Sequence, residues 1–124
     1  SKQELVSIER NIDQVRSEQR RLQQDLGSLP GRIQKLESLE SGLESSLGSL
    51  RSNHSSAQSR FATVSSEVAS TRQELQQLER SGAPREQIEA AQNRLREVSS
   101  RREAAATEVR EAQSRVSSAE SDLG

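Results

Sequence analysis

From Leu5 to Leu78 an apolar residue returns after three positions, then four, then three again, and this repeat constrains the fold more than any other feature of the chain. The stripe is Leu5, Ile8, Ile12, Val15, Leu22, Leu26, Leu29, Ile33, Leu36, Leu43, Leu47, Leu50, Ala57, Phe61, Val64, Val68, Leu75 and Leu78, interrupted by Gln19, Glu40, His54 and Thr71. A mean spacing of 3.5 residues keeps one seam of an α-helix facing a partner helix, the signature of a left-handed coiled coil. The spacing restarts beyond Pro84 as Ile88, Ala91, Leu95, Val98, Arg102, Ala105, Val109, Ala112, Val116, Ala119 and Leu123. Such a seam has to be covered by another helix, which leaves little of the chain for chemistry.

Composition agrees with a seam rather than a thick core. Of 124 residues, 29% are hydrophobic and 30% charged, and Phe61 is the one aromatic. A compact domain of this length normally holds several aromatics. Low apolar content would also suit disorder, but a disordered chain has no reason to keep phase. The formal net charge is −1, with both signs interspersed. No basic face accumulates, so direct binding to nucleic acid is not expected. No apolar run approaches the roughly 18 residues of a membrane span, and insertion is not expected either. The polar N-terminus resembles no signal peptide. The chain has no cysteine, which excludes disulfides and thiolate metal sites and fits a reducing compartment, here taken as cytoplasmic. Both ends fall inside heptads, pointing to a segment of a longer protein.

Two stretches break helical character. Around Gly27-Ser28-Leu29-Pro30-Gly31, proline removes an amide donor and clashes with the preceding turn, and Pro-Gly fits the centre of a type II turn. At Ser81-Gly82-Ala83-Pro84, Gly82 suits a left-handed helix stop and Pro84 the first position of a new helix. These signals predict an all-α chain with helices over about 2–28, 32–80 and 84–123, joined by turns at 29–31 and 81–83.

Folding the chain about residue 83 sets Leu78 against Ile88, Leu75 against Ala91, Val68 against Val98, Phe61 against Ala105, Leu50 against Val116 and Leu43 against Leu123, each layer pairing an a with a d position. Large residues meet small ones in several layers. The flanks bring together Glu67 with Arg101, Glu74 with Arg94, Arg60 with Glu108 and Glu79 with Arg85, with Glu44 against Glu120 the one clear conflict. An antiparallel hairpin of the last two helices follows. A similar fold about residue 31 sets Leu26 against Leu36, Val15 against Leu47, Ile12 against Leu50 and Leu5 against Ala57, with the poorer pairs Leu22 against Glu40, Gln19 against Leu43 and Ile8 against His54. The heptad phase also runs unbroken through Pro30, as it would in a kinked but continuous rod. The Pro-Gly pair favours folding back into an elongated three-helix bundle; the alternative carries the first helix onward in a dimeric coiled coil.

Polar seam positions are candidate sites. His54 reads as a pH switch or, more simply, as a partly wet polar layer opposite Ala112. Arg102 reads as a register device or as a packed stem whose head reaches Glu67 or a neighbour. Paired serines on outward positions read as solvated filler. With one histidine, no cysteine and carboxylates scattered on solvent faces, no nucleophile–base pair, cofactor loop or metal set can be assembled, so an enzyme is not expected.

The heptads resemble those of coiled-coil rods in general: tropomyosin, myosin tails, and the arms of chromosome-organising and tethering proteins. The resemblance covers the whole chain. A three-helix length is similar to that of a spectrin repeat, whose tryptophans this chain lacks. The leading expectation is a structural module providing spacing and self-association in a scaffold or cytoskeletal protein, with a homodimer formed through the seam because pairing two chains would close apolar positions that two helices leave open. Two other readings stand beside it: an adaptor that captures a partner's amphipathic helix, and the coiled-coil arm of a nucleic-acid or tethering machine.

Overall fold

The computed structural model describes residues 1–123. Among them are two α-helices and no strand: α1, Lys2–Arg80, and α2, Arg85–Leu123. The sequence signals for three helices are corrected here. Residues 29–31 form no turn, and Pro30 lies inside α1. The physical reason is that one proline removes one hydrogen bond and kinks a helix without having to end it. The unbroken heptad phase gave the continuous alternative, and with no turn at 29–31 the first helix is not a separate element that folds back there.

Internal packing divides the chain into two units, Ser1–Gly42 and Leu43–Gly124. The first consists of α1 alone. The second is a hairpin in which the rest of α1 packs against α2.

The hairpin turn follows from its residues. Gly82 has φ = 67°, the left-handed conformation that costs an L side chain most and glycine least. The Ala83 amide donates to the Leu78 carbonyl at 3.0 Å and the Gly82 amide to the Glu79 carbonyl at 3.3 Å. These two bonds form a Schellman closure, satisfying carbonyls that the end of a helix would leave unpaired. Pro84 then stands just ahead of α2, and its carbonyl accepts from the amides of Gln87 and Ile88. Proline costs nothing there, because its missing amide falls where a helix start has no partner to offer.

The core of the hairpin is a single line of side chains. Leu47, Ala57 and Val68 of α1 and Ala91, Val98, Ala105, Ala112 and Val116 of α2 are buried. All of them lie on the repeat read from the sequence. No buried side-chain nitrogen or oxygen lacks a hydrogen-bond partner among the described residues.

Candidate functional site

The chain presents two apolar surfaces of opposite character. In the hairpin the stripe is largely covered. Beside the buried positions, Leu50, Phe61, Val64, Leu75, Leu78, Ile88, Leu95 and Val109 are half-buried, while Leu43 and Leu123 at its open end are exposed. In the first unit the same stripe is open. Leu5, Ile8, Ile12, Val15, Leu22, Leu26, Leu29, Ile33 and Leu36 are all exposed, from 42% at Leu29 to 65% at Leu36. Single exposed leucines are ordinary; a line of them along one helix face is a continuous apolar strip open to water.

Charge pairs flank the closed seam. Arg60 meets Glu108 at 3.4 Å, Glu74 meets Arg94 at 3.5 Å, and the Arg101 guanidinium donates to Glu67 at 2.9 Å. These three pairs belong to the one register obtained by folding about residue 83. Each is solvent-exposed and worth about 0.2–1 kcal/mol, so they select the register more than they hold it. Two flank expectations are corrected. Arg85 pairs with Glu89 in its own helix at 3.0 Å rather than with Glu79, because an i,i+4 partner is always within reach. Glu120 escapes Glu44 by reaching Arg51 at 3.3 Å, about two helical turns along the facing helix.

Arg102 is exposed despite its seam position. Its Nε donates to Ser65 Oγ at 3.1 Å, and its guanidinium carbon stands 5.4 Å from the centre of the Phe61 ring. The head therefore leaves the seam, as a long cationic side chain can, but toward Ser65 and an aromatic face rather than toward Glu67, which Arg101 occupies. Thr71, another interruption, donates to the Glu67 carbonyl of its own helix at 2.7 Å and so brings no unpaired hydroxyl to the seam. His54 is half-buried.

The most completely covered residues of the seam are Ala91, with no exposure, and Ala57, with 2%. The signal was present in the alanines spaced by sevens along α2: small side chains let two helix backbones approach closely. Ser65 gave no such signal, since a serine beside a seam reads like any solvated residue.

A shallow, mostly polar groove beside the seam is lined by Asn53, Ser56, Arg60, Glu108, Glu111 and Arg115. No group of three or more His, Asp or Glu side chains gathers as metal ligands would, and no helix is long and apolar enough to cross a membrane, among the described residues. No protein-family model, no curated protein and no solved structure matches the chain.

Proposed function

We propose that the chain is a non-catalytic coiled-coil module of a larger scaffold, with a self-contained hairpin and an open helix face through which it associates with another helix. The observation that carries this reading is the contrast along one stripe: covered from Leu47 onward, open from Leu5 to Leu36. Large aliphatic side chains on that open stretch each lose about 1.5–3 kcal/mol when left fully in water instead of buried. A helix that keeps such a face gains from any partner with a matching seam. Spacing within a scaffold or cytoskeletal assembly is the role that best uses these properties.

The test is binding of the full chain to a synthetic amphipathic helix carrying leucine at every a and d position. Binding should be lost in a Leu26→Glu, Ile33→Glu double variant. The hairpin, which contains neither residue, should melt as in the parent protein. Equal binding by parent and variant would refute the reading.

A further inference from the structure

We infer that Arg102 limits the hairpin to two helices: its charged head, held at the rim of the seam beside Phe61, keeps a third helix off the flank that the ion pairs leave unguarded. The inference concerns the closed hairpin and stands apart from whatever pairs with the open stripe of α1.

Arg102 is the one charged residue on the hairpin seam, which runs over Leu43–Leu78 of α1 and Ile88–Leu123 of α2. It falls opposite Val64, where a leucine would bury more apolar surface and hold the two helices more firmly. In coiled coils a single polar residue at an a position sets how many helices pair, at a cost in stability.

The two flanks of the seam differ. Glu67 precedes the seam residue Val68, whereas Ser65 follows the seam residue Val64, so they lie on opposite flanks. On the Glu67 flank three ion pairs join the helices: Arg60 with Glu108, Glu74 with Arg94 and Glu67 with Arg101. On the other flank the fold about residue 83 sets Ser65 beside Ser99 and Gln58 beside Ala106, all uncharged. Ser65, Ser99 and Ala106 are half-buried, as is Phe61. Small, uncharged side chains on one flank broaden a narrow two-helix seam toward the wider face that helices use in bundles.

Arg102 occupies this flank. Its Nε donates to Ser65 Oγ at 3.1 Å, and its guanidinium carbon stands 5.4 Å from the centre of the Phe61 ring. It belongs to no ion pair among the described residues, since Arg101 holds Glu67. A helix laid over Phe61 from this side would strip water from a guanidinium that no carboxylate answers, and burying an unpaired charge is far costlier than burying a paired one. With leucine at 102 the same contact would bury an apolar side chain instead.

The experiment uses the full chain carrying Leu26→Glu and Ile33→Glu, so that the open stripe of α1 does not contribute. In that background Arg102→Leu should raise the melting temperature and at least double the mass seen by light scattering coupled to size exclusion at hundreds of micromolar. Arg102→Lys, which keeps the charge, should leave the mass of the background unchanged. Adding Ala106→Glu to Arg102→Leu should return the mass to that of the background, because a charge again guards the same flank. An unchanged mass in Arg102→Leu would overturn the inference. So would a lowered melting temperature, which would make the side chain a packing element. A raised mass that Ala106→Glu leaves in place would overturn the assignment to this flank.

Discussion

Replacing Gly27, Pro30 and Gly31 together by alanine tests whether these residues lie inside a helix or mark a turn. Inside α1, Pro30 lacks the amide that would donate to the Leu26 carbonyl, and its ring crowds that carbonyl, at a cost of about 3 kcal/mol. Each glycine costs about 1 kcal/mol relative to alanine. No atom lies within 4 Å of a β-carbon built on Gly27 or Gly31, so the methyl groups meet nothing. The separate gains come to about 5 kcal/mol of local helix stability, an upper bound because neighbouring substitutions do not add fully. Amide hydrogen exchange over residues 24–34 reads this directly: 3–5 kcal/mol corresponds to protection rising by roughly two to four orders of magnitude, capped by global unfolding. Far-ultraviolet circular dichroism should show more helix on heating. A turn at 29–31 would respond in the opposite sense, since alanine fits neither the proline position nor a left-handed glycine position of a type II turn. Unchanged or reduced protection in the triple variant would refute a helix through Pro30.

Val68→Ala, at a buried seam position, should destabilise the hairpin by about 1.5–3 kcal/mol, whereas Ser66→Ala, exposed two residues away, should change it by less than about 0.5 kcal/mol; equal shifts in thermal unfolding would contradict the seam. Gly82→Ala places a β-carbon on a left-handed residue and should lower the hairpin's stability by about 1–2 kcal/mol in the same assay. A double-mutant cycle on Glu67 and Arg101 should return a coupling of about 0.2–1 kcal/mol that fades with added salt; a larger, salt-insensitive coupling would mean the pair is buried.

Much of the hairpin was legible in the sequence because two independent codes specify it. The seam fixes which face is covered, and the charges of Arg60, Glu67, Glu74, Arg94, Arg101 and Glu108 fix the register. The turn was legible because Gly82 and Pro84 each do what only glycine and proline do well. Pro30 was misread because the same residue that ends a helix in one context is tolerated in another, and local propensity does not record how much the flanking turns on each side contribute. Arg85 was misread for a related reason: both Glu79 and Glu89 were within its reach, and a flexible side chain on the surface chooses by small differences. The open face of α1 was legible as a stripe whose one polar interruption between Leu5 and Leu36 is Gln19.

The Schellman-closed turn at Gly82 also has a consequence for how quickly the hairpin assembles. Pairs nearest the turn join residues close in sequence, while Arg51 and Glu120 at the far end are 69 residues apart. Once the turn has formed, every further layer closes only the short loop left by the layer before it, so the entropy of bringing distant residues together is never incurred all at once. The hairpin should therefore zip from Gly82 outward, with a transition state built of Leu78, Ile88, Leu75 and Ala91. Changes at that end should slow folding, and changes near Leu47 and Val116 should act almost wholly on the rate at which the pair comes apart.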